Sequence, residues 1–212
     1  MNITTDTDAA NRLFIDDLAT ALPETSTDDL ARLSDRLSAA ADRHHLLDVS
    51  YRSVDSPLGP LLVAATSAGL VRVAFEREDH EAVLAGLAAS ISPRILRSGR
   101  RTDVVAGQLD EYFAGRRRTF DLTIDLRLVS GFRRTVISHL RDIAYGATAT
   151  YAGVAAAAGN PKAVRAVGSA CSHNPVPLVI PCHRVVRSDG GVGQYLGGVE
   201  AKTSLLAMEA AA

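Results

Sequence analysis

Asn174-Pro175-Val176-Pro177-Leu178-Val179-Ile180-Pro181-Cys182-His183-Arg184-Val185-Val186 places three prolines within seven residues, immediately ahead of a Cys-His-Arg triplet. Proline fixes its own φ and restricts the residue before it, so this segment is held extended and a helix is excluded. Cys182 is therefore expected on a stiff, non-helical platform. A thiol attacks only as thiolate, and a free cysteine has a pKa of about 8.5, so the adjacent His183 or Arg184 is the natural activator. Neighbouring side chains on an extended strand point to opposite faces. His183 would then reach the Cys182 proton only through a bridging water or a bend. The bland alternative is a half-buried cysteine in a proline-rich loop.

The rest of the chain bounds the choices. Its 212 residues suffice for one substantial core or two small domains, and 47% apolar with 22% charged residues fits a globular protein and excludes a disordered one. No apolar run reaches about 18 residues, and the acidic, polar N-terminus does not read as a secretory signal, so a cytoplasmic protein without a membrane span is expected. Cys171 and Cys182 are the two cysteines and neither lies in a metal-spaced cluster. They predict reduced thiols, no zinc site and no cofactor. The net charge of −1 conceals an uneven distribution: residues 1–45 carry 4 Arg against 9 acids, and residues 131–212 carry 8 Lys/Arg against 4 acids. The basic third holds Cys182, which suits a polyanionic partner.

In chain order, Leu13, Phe14, Leu18 and Leu22 recur at helical spacing over residues 8–22. Thr27 followed by Asp28 and Asp29 reads as an N-cap with acids at the positive end of the dipole. Leu30, Leu33 and Leu37 continue a stripe, too short for a coiled coil, towards an end near Arg43-His44-His45. Val49 to Phe75 reads as strands broken by Ser56-Pro57-Leu58-Gly59-Pro60 and Gly69, predicting a small antiparallel sheet. Helices are expected over 79–89 and 103–114, the latter with Leu109, Tyr112 and Phe113 facing inward. Arg94 to Arg101 reads as a loop, and the strict alternation from Phe120 to Leu126 as a further strand. Phe132, Val136, Ile137, Leu140 and Ile143 predict an amphipathic helix ending at Gly146. An alanine-rich helix after Thr150-Tyr151, a break at Gly159-Asn160-Pro161 and a second helix opening at Lys162, with Lys162 and Arg165 on one face, form a helix-turn-helix pattern that ordinary helical hairpins share. The glycines between Ser188 and Gly198 lack phosphate-loop spacing and predict close approach of backbone to a ligand. A last helix is expected from about Glu200 to Ala210. The class is α+β: residues 1–45 form an acidic helical extension, and 46–130 a small N-terminal α/β domain of antiparallel strands plus helices. Residues 131–212 form a mainly helical C-terminal domain with the helix-turn-helix and an active-site loop.

Pro181-Cys182-His183-Arg184-Val185 is preceded by Gly159-Asn160-Pro161-Lys162-Ala163-Val164-Arg165-Ala166-Val167-Gly168 and Asn174-Pro175-Val176-Pro177, and followed by Gly193 to Gly198. In that order these pieces resemble the O6-alkylguanine-DNA alkyltransferases, also called methylated-DNA-protein-cysteine methyltransferases. The resemblance is dense from about Gly131 to Glu209, looser from Val49 to Phe75, and finds nothing over residues 1–45. It implies DNA repair by direct reversal. Cys182 would take the alkyl group from O6-alkylguanine, and also from O4-alkylthymine, in one displacement that consumes the protein. His183 would deprotonate Cys182 through a water, Glu209 would orient His183, and Asn174 would brace the active-site loop. Tyr151 would press on a phosphate and assist the departing base, and Arg165 would fill the stack vacated by base flipping. The resemblance also puts Lys162, Ala163 and Arg133 among the DNA contacts. Val185, Tyr195, Leu196, Gly197 and Pro177 would belong to the substrate pocket. The partner would be double-stranded DNA, held in the minor groove without sequence preference by a monomer.

Two residues depart from the family pattern: Ala144 stands where a proline is expected, and Leu196 is bulkier than the usual small residue, which would narrow the pocket towards methyl. A helix-turn-helix regulator with Cys182 as a redox sensor is the alternative from another class. It leaves Glu209, Tyr195 and the glycine run unexplained. A cysteine hydrolase would need an oxyanion hole, which the sequence does not suggest.

Overall fold

The computed structural model describes residues 26–211. The chain divides into two compact units, Met1–Leu37 and Ser38–Ala212. The first described element, α1 (Thr27–Arg43), runs across that boundary. Its cap is Ser26, one residue earlier than expected: the Asp29 N–H donates to Ser26 Oγ at 3.1 Å, and the Asp29 carboxylate accepts from the Ser26 N–H at 3.3 Å. Ser26 and Asp29 thus satisfy each other's donors, which Thr27 lies too far along the helix to do. The helix expected over residues 8–22 lies outside the described residues.

In the second unit, a four-stranded sheet has the order β3-β2-β1-β4, with β1 (Val49–Val54), β2 (Leu61–Thr66), β3 (Gly69–Phe75) and β4 (Ile95–Arg97). The first three strands form the expected antiparallel meander, with Tyr51 opposite Ala64 and Val63 opposite Val73. β4 was expected to be loop. It pairs in parallel with β1, Val49 opposite Ile95, because the chain returns along α2 (His80–Ser90) to the open edge of β1. Three residues are too few for an alternating pattern to show in the sequence.

Every residue of β2 is buried, as a central strand covered on both faces must be. On one face Val49, Ala64 and Val71 pack with Leu87 of α2. On the other, Leu61, Val63, Val73 and Phe75 join Val105, Leu109 and Tyr112 of α3 (Asp103–Phe113) and continue into the C-terminal helices. Those are α4 (Gly131–Leu140), α5 (Tyr151–Ala157), α6 (Val164–Ser172) and α7 (Val199–Ala210), together with the two-residue parallel strands β5 (Ala149–Thr150) and β6 (Val185–Val186). α4 stops at Leu140, short of the expected Gly146, and Ile143 packs from the turns that follow. Among the described residues no helix is long and apolar enough to cross a membrane.

The outer edge of β3 places the proline loop. Val73 donates its backbone N–H to the Pro175 carbonyl at 2.9 Å, so the proline stretch covers a strand edge that would otherwise be open. Phe120 to Leu126 was expected as a strand. It pairs with β3 only at the Leu70–Ile124 bridge, where Leu70 N–H meets Thr123 O at 2.9 Å and Asp125 N–H meets Leu70 O at 2.8 Å. Its alternation reflects one face turned to the core, without a ladder. This approach requires Gly69, which has φ +134°: a Cβ there would stand 2.3 Å from Thr123 O. Gly69→Ala should therefore destabilise by about 2–3 kcal/mol, measured by chemical denaturation. Gly86→Ala, in open space on α2, should be neutral or stabilising by up to about 1 kcal/mol.

Candidate active site

The proline stretch is braced from within. Asn174, wholly buried, donates from Nδ2 to Ile180 O at 2.8 Å and accepts at Oδ1 from Val176 N–H at 3.1 Å. Past Pro181 the backbone is not extended, contrary to the sequence reading. Cys182–Arg184 form a single 3-10 turn closed by Arg184 N–H to Pro181 O at 3.0 Å. Proline is tolerated in a first helical turn because its missing N–H would have no partner there. The turn carries His183 and Arg184 inward together, both buried.

Both side chains meet Glu209, which α7 brings in on its buried stripe with Lys202 and Leu205. His183 Nε2 lies 2.9 Å from Glu209 Oε1, and Arg184 grips the carboxylate with Nε at 2.8 Å and Nη2 at 2.9 Å. Tyr112 Oη donates to Oε1 at 2.7 Å and Gly146 N–H to Oε2 at 3.3 Å. Burial alone would raise the Glu209 pKa, but the hydrogen bonds from His183 and Arg184 outweigh it and hold the carboxyl well below the usual range. For His183 burial dominates and lowers the pKa against the pull of Glu209, which favours neutral imidazole. Its Nδ1 is buried and makes no hydrogen bond to another protein group.

Cys182 Sγ accepts from Asn174 Nδ2 at 3.2 Å. Burial pushes the thiol up to about 11, while the Asn174 hydrogen bond and the Lys202 charge act in the opposite direction. Cys182 opens onto a cavity of about 590 Å³ lined also by Tyr151, Arg165, Cys171, Tyr195 and Leu196. Tyr151 begins α5, where Thr150 Oγ1 caps by accepting from Gly153 N–H at 3.0 Å, and the Ala149–Val185 pairing ties this helix start to the turn after Cys182. Burial raises the Tyr151 pKa, so its hydroxyl stays protonated. Tyr195 packs edge-on against His183 and Phe75, with its Oη buried and unpartnered. Arg165 is exposed at the rim.

Other expected residues lie elsewhere. α6 starts at Val164, so Lys162 sits in the preceding turn with Ala163 at the cap position, and Lys162 and Arg165 do not share a helical face. Asn160 O accepts from Ala163 N–H, and this turn uses the residues the sequence reading gave to the helix. Arg133 is half-buried in the first turn of α4. Pro177 is buried in the loop, and Gly197 is packed on Phe75, where a Cβ would meet the ring at 2.8 Å. None of these five residues lines the cavity. The Gly197 contact shows part of the glycine run serving internal packing where approach to a ligand was expected. Val185 is buried, and its carbonyl accepts from Lys202 Nζ at 2.6 Å.

Lys202, Tyr112 and the Arg184–Glu209 pairing were missed. Lys202 is wholly buried, with its ammonium 5.9 Å from the centre of the Tyr151 ring. The available signal was a lysine at the 202, 205, 209 spacing of a buried helical stripe.

A buried cysteine and histidine on a proline loop, with a carboxylate brought in by α7 beside the α5–α6 pair, is a specific arrangement, and comparison with known proteins agrees with it. Residues 131–211 match the family model described as 6-O-methylguanine DNA methyltransferase, DNA binding domain, and residues 49–126 match its ribonuclease-like domain. The chain belongs to the 6-O-methylguanine DNA methyltransferase family. Its relatives include the methylated-DNA--protein-cysteine methyltransferase of Mycolicibacterium paratuberculosis, 38% identical over 161 residues, covering 76% of this chain and 92% of that one. The constitutive protein of that name from Bacillus subtilis is 34% identical over 163 residues, covering 75% and 94%. The structure of Mycobacterium tuberculosis OGT in complex with DNA superposes with a TM-score of 0.65 at 33% identity, covering 76% of this chain and 93% of that one.

Within this methyltransferase fold, Glu209 makes a pH-dependent contribution to stability. Its folded pKa lies below the ordinary value of 4.5, so the stabilisation is full above that value and is lost as the pH falls towards the folded one. Glu209→Gln should lose about 2–4 kcal/mol at neutral pH by leaving Arg184 without its anion. In chemical denaturation the gap to the parent chain should narrow below about pH 4.5.

Proposed function

We propose that this chain repairs alkylated DNA by direct reversal, moving the alkyl group of O6-alkylguanine, and of O4-alkylthymine, onto Cys182. The observation that carries the reading is the buried Glu209–His183 hydrogen bond beside a cysteine that opens onto a cavity, in a member of this family. Cys182 Sγ attacks the alkyl carbon, the carbon–oxygen bond breaks, and guanine leaves while a thioether forms. No water regenerates the thiol, so each chain acts once.

The Cys182 proton passes through a bridging water to His183 Nδ1, the ring nitrogen left without a protein partner. Glu209 then stabilises the imidazolium through Nε2, and Arg184 and Tyr112 keep that carboxylate ionised. Lys202 supports the thiolate by its charge. Tyr151, held protonated by burial, offers its hydroxyl as a hydrogen-bond donor to the departing base. The O6 atom is stacked and paired inside a duplex, so the nucleotide would flip into the cavity, and Arg165, which lines its rim, would enter the vacated stack. The α5–α6 pair would lie in the minor groove, with Lys162 and Ala163 at its turn and Arg133 on α4 as backbone contacts. Residues 46–130 would serve as the structural domain, 131–212 as the DNA-binding and alkyl-transfer domain, and 1–45 as an extension of a monomeric, cytoplasmic protein. Leu196 on the cavity wall would favour methyl over larger alkyl groups.

Incubation with a duplex containing O6-methylguanine should add one methyl per molecule, on Cys182, by intact mass and peptide mapping. Continued turnover, or methyl on Cys171, would overturn the mechanism. Arg165→Ala should slow transfer from duplex at least about tenfold more than transfer from free O6-benzylguanine, because only the duplex requires the stack to be filled. Equal losses would remove Arg165 from that role.

A further inference from the structure

Alkyl transfer leaves one nucleophile in the cavity unused. Cys171, near the end of α6, is only 8% exposed and lines the same cavity as Cys182. A single residue spans the two: Asn174 donates its backbone N–H to Cys171 O at 3.3 Å and its side-chain Nδ2 to Cys182 Sγ at 3.2 Å. Negative charge on Cys182 disfavours ionisation of Cys171, and the Lys202 ammonium favours the anion of each. The two thiols therefore share one electrostatic environment. Both are free, and the cavity rim carries exposed Arg165, Ser188 and Gln194, so a small polar solute has a path to the sulfurs.

We propose that Cys171 and Cys182 form a two-thiol redox site whose substrate is a small hydroperoxide and whose product is a Cys171–Cys182 disulfide. The Cys182 thiolate attacks the terminal peroxide oxygen: a sulfur–oxygen bond forms, the oxygen–oxygen bond breaks, and the leaving oxygen departs as water or alcohol with the proton Cys182 gave up. Cys171 sulfur then attacks Cys182 sulfur. The sulfur–sulfur bond forms, the sulfur–oxygen bond breaks, and the hydroxyl leaves as water with the Cys171 proton. Two thiols are oxidised by two electrons and one peroxide is reduced. The disulfide blocks alkyl acceptance, but it also stops Cys182 from climbing to sulfinic acid, from which a thiol reductant cannot return it.

The test uses the full-length chain. Cleavage after Arg165 and Arg184 releases residues 166–184 as one peptide holding both cysteines. After hydrogen peroxide, iodoacetamide and trypsin, this peptide should be two hydrogens lighter than its dithiol form and unlabelled. Dithiothreitol should restore two labelled cysteines and the chain's methyl acceptance. In Cys171→Ser the same exposure should leave Cys182 as sulfinic acid, with reductant-recoverable acceptance lower than in the parent by about tenfold. Oxygen adducts on Cys182 of the parent without an internal disulfide would overturn the proposal, as would equal irreversible loss in both chains. Peptide mapping of the parent decides the question even if the variant does not fold. The proposal relies on Cys182 as a reactive thiol. Methyl acceptance by the reduced chain is measured first, so failure of alkyl transfer is distinguishable from failure of the disulfide.

Discussion

The carboxylate of Glu209 is the group on which the rest of this molecule depends. An isolated carboxylate in so dry a place would take up a proton, since the desolvation of a buried ion is several kcal/mol even after relaxation. It stays ionised because donors from three separate segments converge on it: Tyr112 from α3, Gly146 from the turn after α4, and His183 and Arg184 from the 3-10 turn, all meeting α7. Tyr112, His183 and Arg184 are themselves buried, and removing any one of them leaves the others poorly matched. The helix α3, which packs on the sheet, is therefore joined directly to the Glu209 cluster.

This arrangement also sets the chemistry. Glu209 accepts at Oε1 from His183 Nε2, so the imidazole proton is held on Nε2 and the lone pair is left on Nδ1. Burial keeps the ring neutral and raises the thiol to about 11, so neither group is charged at rest. In the proposed transfer, charge would appear only when the proton moves, with Lys202 and Asn174 supporting the sulfur and Glu209 the ring. The Val73–Pro175 hydrogen bond fixes the loop that carries the thiol to the edge of β3, and the Ala149–Val185 pairing holds Tyr151 across the cavity.

Much of this was legible in the sequence. The three prolines announced a rigid loop with the Cys-His-Arg triplet at its end, and periodicity located α2, α3 and α7 within a residue or two at each end. What escaped were features that depend on tertiary partners. β4 is three residues long and exists because β1 has an open edge, and Phe120 to Leu126 alternates without a ladder because it meets β3 at a single bridge, with Thr123 and Asp125 bonding Leu70 around Ile124. Tyr112 read as a core aromatic, which it is, but its hydroxyl finds Glu209 97 residues away in the chain. Arg184 read as an activator of Cys182 and is instead the counter-ion of Glu209, because the 3-10 turn reverses the side-chain alternation assumed for a strand. Lys202 looked like an ordinary helical lysine until the fold buried it.

The central claim is that Glu209 holds His183 as the neutral Nε2–H tautomer with Nδ1 free to accept the Cys182 proton. The ring 15N chemical shifts of His183 at neutral pH measure this directly. A protonated Nε2 with an unprotonated Nδ1 in the parent chain, losing that strict preference in Glu209→Gln, is the predicted result. An imidazolium, or a proton residing on Nδ1 at neutral pH, would contradict it.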